Sequence, residues 1–550
     1  MKHSQLCRVI VFTDSASSVA MLARAARRLK ARVPWASAAA ALGASASCAL
    51  ADGGDDDDDD VLEVVNWSAT HSARPTAVYT PESVADVEAL VAAHAARKAR
   101  LRPCGSALSP NGLALSDGGA MLNLGLLDDV VAVDAEARTV TVRCGAKVDQ
   151  VLDALAPHGL TLENLASIAS QQIGGFVGVG AHGTGASLPP VDEHVLELTV
   201  VTPGGGTLKL ARGDGLLESF LVGLGALGVA VEAKLRCVPK HLLRERVQVM
   251  TRNEVAAKHA DLLRDNRHVR FMWIPFEDAV VVVSNNPTFD GVLGEGQGGP
   301  SPYTDGEKLA PLRALLEATR PGVPGAASMH FAELRDALLS IAPLDVGHVR
   351  AVNKAEAEFW RRSQGTDVAD SSRKLNFECG GQQWVNECCF PAGSLSQPSG
   401  ADVRYMLDLL DLIEREEIPA PAPIEQRWTS GSRSLLSPAS SKAALPDDAI
   451  FSWVGVIMYL PTDEPTQRAA ITAAFDGYKK HCERSLWPAY GAVEHWAKIE
   501  EPADADAAAT AVARLAAKFD TAKFAALRDV YDPDNILSTP LLDAVLPRGG

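Results

Sequence analysis

The sequence predicts an α+β fold in a chain of 550 residues, which is long enough for two or three domains. Residues 61–240 contain short apolar strands together with amphipathic helices. Val195–Thr202 and Thr207–Ala211 flank a Pro-Gly-Gly-Gly segment, which is typical of a β-hairpin. In the second half, Ile450–Leu460 is a long apolar strand, so we expect a sheet there as well.

The first half begins with a helix and continues with short strands. Thr80-Pro81 resembles an N-cap followed by proline, and apolar residues then recur at helical spacing, which predicts a helix over Glu82–Ala96. The elements expected after it are strands at Ala99–Arg102, Met121–Leu124, Val130–Asp134 and Thr139–Gly145, and a helix at Val148–His158.

The sequence of the second half predicts another hairpin and several helices. Val269–Ile274 and Ala279–Ser284 form the hairpin. Thr288–Gly325 is rich in glycine and proline without a periodic pattern, so we expect a long surface insertion. The predicted helices are Leu334–Ile341, Ala355–Ser363, Val403–Glu416, Ala507–Phe519 and Thr521–Tyr531.

Charge and cysteine content exclude several classes of function. The net charge of −17 argues against nucleic-acid binding, which needs a basic surface. The 9 cysteines lack zinc-finger or C-x-x-C spacing, so we predict neither a metal site nor a disulfide framework. Asp55–Asp60 is an acidic run that we interpret as a solvated spacer, the alternative being a metal-binding segment.

The N-terminal segment has the composition of a targeting sequence. Met21–Arg32 has five basic residues and no acidic one, separated by alanine and leucine, which is typical of a transit peptide. Val33–Ala51 is too rich in alanine and serine for a convincing membrane span. We therefore predict a cleaved presequence within residues 1–60; an ordinary surface helix and a weak inner-membrane anchor are the alternatives.

Two glycine-rich segments match the G-x-G-x-x-G pattern, Gly178–Gly183 and Gly223–Gly228. A Rossmann dinucleotide site needs a strand before such glycines and a helix directly after them. Prolines follow the first segment and the strand Val229–Arg236 follows the second, so neither is a nicotinamide-type site. Together with the loop Arg102–Gly112, the segment Gln171–Gly185 could instead hold a pyrophosphate on bare backbone N–H groups. The alternative for each loop is a simple turn.

Seven longer blocks carry a resemblance to a flavoprotein family: Asn66-Trp67-Ser68, Gly105–Gly112, Ser167–Gly185, Glu378–Trp384, Ile418–Thr429, Phe451–Pro461 and Glu494–Glu500. The chain resembles the vanillyl-alcohol-oxidase flavoproteins and, over residues 61–545, the plant-type L-galactono-1,4-lactone dehydrogenases among the aldonolactone oxidoreductases. This resemblance implies a two-subdomain PCMH-type FAD-binding domain and an α+β cap domain with a large antiparallel sheet. The implied segments are 1–60 as presequence and spacer, 61–242 for FAD, 243–505 as the cap with an insertion at 288–325, and 506–550 as helices returning to the FAD domain.

The resemblance also implies the residues that bind the cofactor. Leu108 stands where tethered relatives carry a histidine, so FAD is expected to be non-covalent. Ala166 stands where related oxidases carry glycine, and its methyl group is expected to obstruct dioxygen, although a lone alanine is ordinarily core filler. The implied FAD-binding residues are Pro103, Cys104, Gly105, Ser106, Ala107, Leu108, Ser109, Ala166, Ser167, Gln172, Ile173, Gly174, Gly175, Gly178, Gly180, Ala181, His182, Gly183, Thr184, Gly228, Val229 and Lys498.

A second group of residues is implied for catalysis. In an extended segment, Glu425 and Arg427 share one face, with Ile424, Gln426 and Trp428 on the other. The resemblance implies that Glu425 binds the lactone hydroxyls and that Arg427 stabilises developing negative charge; a surface ion pair is the alternative. Lys498 is expected to stabilise negative charge on the reduced cofactor, the alternative being a solvated lysine. Cys379 is expected to be an oxidation-sensitive thiol beside the substrate, the alternative being an inert buried cysteine.

The resemblance implies partners and a location. L-Galactono-1,4-lactone is the expected substrate, cytochrome c the expected electron acceptor, and L-ascorbate the product. The expected location is the mitochondrion, on the intermembrane-space side of the inner membrane. The alternatives are an oxidase that uses dioxygen and a role in respiratory complex I assembly, alone or beside catalysis.

Overall fold

The computed structural model describes residues 9–11, 62–288, 298–376 and 380–548. The predicted presequence and spacer therefore lie outside the described residues except for Val9–Val11. The strands are β1 Val9–Val11, β2 Glu63–Val65, β3 Ser72–Ala73, β4 Ala77–Tyr79, β5 Leu101–Cys104, β6 Ala120–Asn123, β7 Val130–Asp134, β8 Thr139–Arg143, β9 Leu160–Thr161, β10 Val195–Thr202, β11 Gly206–Ala211, β12 Val229–Arg236, β13 Val238–Pro239, β14 Leu242–Met250, β15 His268–Trp273, β16 Val280–Thr288, β17 Gly365–Asp370, β18 Gln383–Ser394, β19 Ile424–Ser430, β20 Ala449–Tyr459 and β21 Val493–Glu494.

The helices occupy both halves of the chain. In chain order they are α1 Val84–Arg97, α2 Val148–Leu155, α3 Ile173–Gly178, α4 Leu217–Leu221, α5 Arg252–Asp265, α6 Asp305–Thr319, α7 Phe331–Leu339, α8 Val346–Arg362, α9 Ser371–Leu375, α10 Ala401–Arg415, α11 Pro465–Ser485, α12 Trp487–Tyr490, α13 Ala505–Lys518, α14 Thr521–Tyr531 and α15 Pro540–Val545. Across the described part of the chain, none of the helices combines the length and the apolar composition that a bilayer span requires.

The described residues of the first half form four sheets, of which β1-β2-β3 and β13-β9 are small and the other two enclose the core. Strands β4, β6 and β5 pair in parallel, and α1 begins beside them. The order β11-β10-β12-β8-β7 is a five-stranded antiparallel sheet, in which the predicted hairpin β10–β11 is confirmed. The α1 N-cap is Ser83, whose hydroxyl accepts from the Asp86 N–H, and not the predicted Thr80. Pro81 thus precedes the helix instead of opening it, because Ser83 and Asp86 form a reciprocal capping box.

The second half is built on one large antiparallel sheet with the order β17-β14-β16-β15-β19-β20-β18-β21. The α+β class and the large antiparallel sheet expected from the sequence are therefore confirmed. In the register, Glu425 of β19 and Glu387 of β18 both lie opposite Gly455 of β20. The three residues consequently form one row across one face of the sheet.

Two large cores stabilise the halves. One lies beneath the eight-stranded sheet and contains Phe271, Trp273 and Trp428. The other fills the first half and includes Leu515 of α13 and Leu542 of α15, so the C-terminal helices share the core of the N-terminal domain. Burying one large apolar side chain contributes roughly 1.5–3 kcal/mol, so each shared position adds substantially to folding.

The buried side chain of Arg102 strengthens this connection between the two ends of the chain. Its guanidinium donates to the carbonyl oxygens of Leu113 at 2.9 Å, Leu224 at 2.7 Å and Leu537 at 2.9 Å. Hydrogen bonds from a charged donor are stronger than neutral ones, so three sequence-distant segments are held at one point.

Two predicted segments differ from the structure. Within Thr288–Gly325, the region expected to be an irregular surface insertion, residues Asp305–Thr319 form α6. Its leucines Leu309, Leu312 and Leu316 are buried against α7 and α8, and their spacing is the helical signal that the surrounding glycines and prolines concealed. In the glycine-rich segment, Ile173–Gly178 is a short helix and not open loop.

Candidate active site

A cavity of about 810 Å³ lies between the glycine-rich loops of the first half and the eight-stranded sheet. Its first part is walled by the loop Pro103–Pro110, by α3 and by the turn before β12. Its second part runs along the sheet over Gly455, Ile457 and Tyr459, which alternate along β20 and so share one face. A molecule in this cavity would contact both domains.

Two glycines leave open space in the wall of the cavity. A Cβ atom added at Gly175 or Gly178 would meet no protein atom within 4 Å, and both residues line the cavity. The Ser106 hydroxyl donates to the Ser170 carbonyl at 2.8 Å, which joins the two glycine-rich loops. Near them, the buried Gln171 Oε1 accepts no hydrogen bond from the described residues. These features fit a large polar ligand such as a dinucleotide cofactor.

Most of the predicted cofactor residues line this cavity. They are Pro103, Cys104, Gly105, Ser106, Ala107, Leu108, Ser109, Ala166, Ser167, Gln172, Gly174, Gly175, Gly178, Ala181, His182, Gly228, Val229 and Lys498. Ile173, Gly180, Gly183 and Thr184 are not among its lining residues. A Cβ at Gly183 would lie 2.0 Å from Asn164 Oδ1, so this glycine permits close packing behind the wall. Cys379 lies outside the described residues.

The predicted pair on β19 has the expected geometry. Arg427 Nε lies 3.3 Å from Glu425 Oε2, and both side chains line the cavity. On the opposite face, Gln426 Oε1 accepts from Trp273 Nε1 at 3.0 Å and Trp428 Nε1 donates to Asp402 Oδ2 at 2.9 Å. These buried hydrogen bonds hold β19 rigidly, and the Arg427 side chain is itself only 8% exposed. The pair is therefore not the exposed surface ion pair that formed the alternative.

Glu387 is a member of the site that the sequence prediction missed. Its carboxylate lies 2.7 Å from Arg427 Nη2, 2.9 Å from Lys498 Nζ and 3.2 Å from His182 Nε2. Burial alone would raise the pKa of Glu387, but the charges of Lys498 and Arg427 and the contact with His182 hold it well below its ordinary value. A signal was present, because Glu387 is the one acidic residue of the strand β18 and directly precedes the apolar run Cys388-Cys389-Phe390.

Two histidines complete the cluster. His182 stacks on Trp453, with ring centroids 3.8 Å apart, and burial lowers its pKa to about 4. His495 accepts from the Ala497 N–H at 3.0 Å, and burial with the nearby Lys498 holds its pKa well below its usual value. Both imidazoles are therefore neutral at pH 7.

His182, Glu387 and His495 place three possible ligand atoms within 4.8 Å of one another. Arg427 and Lys498 already neutralise the one carboxylate among them. A cation would have to compete with both side chains, so the charge distribution favours an anionic or polar ligand over a metal ion.

Asn111 links the cofactor loop to Lys498. Its buried Nδ2 donates to the carbonyl oxygens of Trp496 at 2.9 Å and Ile499 at 2.6 Å. These bonds fix the turn that carries Lys498 against the end of the Pro103–Pro110 loop. Asn111 was inside a predicted loop, but its partners lie more than 380 residues away and no local pattern reveals them.

Comparison with known proteins identifies the family. A model described as D-arabinono-1,4-lactone oxidase matches residues 233–310 and 334–545, and one described as FAD binding domain matches residues 75–211. L-Galactono-1,4-lactone dehydrogenase 2 of Oryza sativa subsp. japonica, a mitochondrial protein, is 47% identical over 88% of this chain and 84% of its own length. The mitochondrial L-galactono-1,4-lactone dehydrogenase of Arabidopsis thaliana is 45% identical over 88% of this chain and 81% of its own length. The chain belongs to the FAD-dependent aldonolactone oxidoreductases.

A solved structure supports the fold assignment. A solvent-stable cholesterol oxidase superposes with a TM-score of 0.67 at 18% identity, over 88% of this chain and 97% of that one. Likeness at this identity shows the fold alone, which is the PCMH-type FAD-binding fold with a cap domain. The open space at Gly175 and Gly178, in the glycine-lined part of the cavity, fits the FAD cofactor of this family.

Proposed function

We propose that this chain oxidises L-galactono-1,4-lactone to L-ascorbate and passes the electrons to cytochrome c. The observation that carries the proposal is the cluster of Glu425, Arg427, Glu387 and Lys498 where the glycine-lined part of the cavity meets the sheet. The names of the plant relatives support the choice of this lactone over others.

The side chains of the cluster have different proposed roles, which follow from their charges. FAD, when bound, supplies the hydride acceptor. Glu425 accepts hydrogen bonds from the substrate hydroxyls, and Arg427 stabilises the negative charge that develops as a hydroxyl proton is lost. Glu387 ionises readily because Arg427 and Lys498 flank it, and it holds both cations in place. Lys498 places its positive charge where the cofactor and substrate halves of the cavity meet.

Anaerobic reduction by the lactone tests this function directly. The purified protein should show flavin absorbance that L-galactono-1,4-lactone bleaches without dioxygen, because electrons then remain on the cofactor. A glucono-lactone of equal concentration serves as the comparison. Persistent oxidised absorbance after addition of L-galactono-1,4-lactone would overturn the substrate assignment.

We also propose that FAD is bound without a covalent link. Leu108 lines the cavity and has no nucleophilic atom. The thiol of Cys104 also lines it, but burial raises the pKa of that thiol to about 12, so it stays protonated. Denaturation followed by filtration should release all the flavin into the filtrate, and flavin retained on the protein would contradict the proposal.

The proposed acceptor depends on Ala166. This residue is 8% exposed and lines the cavity, so its methyl group occupies space that glycine would leave open. Turnover measured side by side should be fast with cytochrome c and slow with dioxygen. Equal rates would make the chain an oxidase.

We propose a mitochondrial location on the composition of Met21–Arg32 and on the location named for the plant relatives. Residues 1–60 fused to a fluorescent protein should direct it to mitochondria. A matched fusion in which the five basic residues of 21–32 are replaced by glutamine should remain elsewhere. Equal distribution of both fusions would contradict a presequence.

A further inference from the structure

The cavity continues past the Glu425–Arg427 pair into a region that the proposed reaction does not use. Along β20 it passes Gly455 and Ile457 and ends at Tyr459, where α7 and α8 cover the sheet. We call this end the distal chamber and define it by Arg335, Glu356, Trp360 and Tyr459, all of which line the cavity. It belongs to the same cavity and the same sheet face as the Glu425–Arg427 pair.

Glu356 is the most deeply buried charged group of the distal chamber, with 1% of its surface exposed. Its carboxyl accepts a hydrogen bond from Trp360 Nε1 at 3.3 Å, which is one turn further along α8. A carboxylate has room for about four hydrogen bonds, so a single donor leaves most of its capacity for a ligand. Burial raises the pKa of Glu356, while Arg335 opposes that rise.

The helix that carries Glu356 is fixed in place. Asn353, one turn earlier on α8, donates to the carbonyls of Pro275 at 3.2 Å and Ala420 at 3.0 Å. Its Oδ1 accepts from the Ala422 N–H at 3.0 Å, directly before β19. The position of Glu356 relative to Glu425 is therefore set by buried hydrogen bonds and not by mobile surface contacts.

Arg335 interacts electrostatically with Glu356 and carries the opposite charge. Its guanidinium lies 3.8 Å from the ring centroid of Tyr459 and pairs with Asp336 at 3.1 Å. Buried acceptors, guanidinium donors and aromatic faces together suit a neutral molecule with several hydroxyl groups. A carboxylate ligand would be repelled by Glu356, and a purely apolar ligand would leave the remaining acceptor capacity of Glu356 unused.

We propose that Glu356 determines specificity for the exocyclic hydroxyl chain of the substrate. This inference rests on the proposed function, in which Glu425 and Arg427 hold the lactone ring. The two hydroxyls attached outside the ring then extend along Ile457 into the distal chamber, where Glu356 binds them. A lactone without that chain forms no hydrogen bond with Glu356, so Glu356 does not increase its affinity.

The test compares two ligands and three variants. L-Galactono-1,4-lactone has the exocyclic chain, and a threono-1,4-lactone keeps the ring hydroxyls but lacks it. For Glu356→Leu we expect the KM of the first to rise about tenfold, ~1.4 kcal/mol, while the competitive inhibition constant of the second stays within about twofold. Glu356→Gln, which still forms hydrogen bonds, should raise the KM less.

Glu358→Gln is the matched control, because Glu358 lies on α8, is 40% exposed and pairs with Arg362 outside the cavity. Flavin content and melting temperature of each variant report whether the fold is retained. Equal changes for both ligands, or no change in either variant of Glu356, would overturn the inference and leave the proposed function standing. A wild-type flavin that L-galactono-1,4-lactone does not reduce would overturn the proposed function and this inference with it.

Discussion

Three side chains converge on the Glu387 carboxylate, namely those of Arg427, Lys498 and His182. Removing one partner of a buried ion pair typically costs about 3–5 kcal/mol, because the remaining charge stays buried without compensation. The fold therefore accommodates the complete charge cluster, but the loss of one of its side chains leaves a buried charge without a partner. A single substitution in this cluster should therefore affect catalysis more than the change in side-chain volume suggests.

Replacing Arg427 by lysine should lower kcat/KM for the lactone by about 100-fold, roughly 2.7 kcal/mol. The guanidinium contacts Glu387 and Glu425 together, and a single ammonium cannot reproduce that planar geometry. Arg433→Lys is the control, because Arg433 is 68% exposed and pairs with Glu193 away from the cavity. Steady-state kinetics near the wild-type values would show that Arg427 is peripheral.

Replacing Ala166 by glycine should increase dioxygen consumption during lactone turnover, with little change in the cytochrome c rate. The substitution removes a buried methyl group from the cavity wall. Ala146→Gly removes a methyl from a fully buried residue that does not line the cavity, so it controls for general loosening. An oxygen-electrode trace identical to wild type would refute the proposed obstruction.

Some site residues were predictable and others were not. Glu425 and Arg427 could be placed on one face because a strand alternates its side chains. Glu387 was missed because its partners come from β19, from the glycine-rich segment and from the turn after β21, and only the fold unites them. Glu356 was likewise concealed: it lies inside the predicted helix Ala355–Ser363, but only the fold brings Arg335 of α7 and Tyr459 of β20 into the same chamber.

At the scale of elements, the glycines of α3 show how the composition of one helix shapes the wall of the cavity. A Cβ atom at Gly175 or Gly178 would enter open space in the cavity, whereas one at Gly174 would lie 3.3 Å from Cys144. Glycine costs a helix about 1 kcal/mol relative to alanine, so their presence is unfavourable for α3 itself. The open space proposed for FAD accounts for Gly175 and Gly178, and close packing against Cys144 accounts for Gly174.

Replacing Gly175 by leucine should reduce the FAD content of the purified protein by about tenfold, because the side chain enters the space of the cofactor. Gly477→Leu is the control, since Gly477 also lies in a helix with open space at its Cβ but does not line the cavity. Absorbance at 450 nm relative to 280 nm gives the flavin ratio. Full flavin content in the Gly175 variant would contradict the assigned cofactor position.

The elements themselves were predictable where the pattern was regular. Strands β7 and β12 and helix α14 match the predicted ranges residue for residue. Helix α11 was missed although Ile471, Phe475, Tyr478 and Cys482 recur at helical spacing and are buried. Their polar neighbours weakened that signal, and the contact with the sheet that stabilises α11 is not visible in local sequence.

At the scale of the whole molecule, buried histidines link stability to pH. Burial lowers the pKa of His182 and His194 to about 4 and that of His268 to about 3. Below pH 6.5 the unfolded chain binds protons that the folded chain excludes, so stability falls as pH decreases. His259 acts in the opposite direction, because Asp402 raises its pKa against the effect of burial.

Between pH 7 and pH 5, each histidine with a lowered pKa should cost about 2 kcal/mol of unfolding free energy. Denaturant unfolding at both pH values measures this loss. His268→Gln should flatten the dependence by about that amount, and the exposed His158→Gln should leave it unchanged. A wild-type stability that is constant over this range would contradict burial of neutral histidines.

The C-terminal helices have a consequence for how the protein is made. Leu515, Phe519, Phe524 and Leu542 belong to the core of the N-terminal domain, and the Leu101 N–H donates to the Ile536 carbonyl at 2.8 Å. Residues 62–240 therefore leave the ribosome long before the C-terminal residues that complete their core have been synthesised. We expect the protein to capture its flavin only after synthesis has passed residue 542, so chains terminated early should lack flavin absorbance and be degraded by proteases.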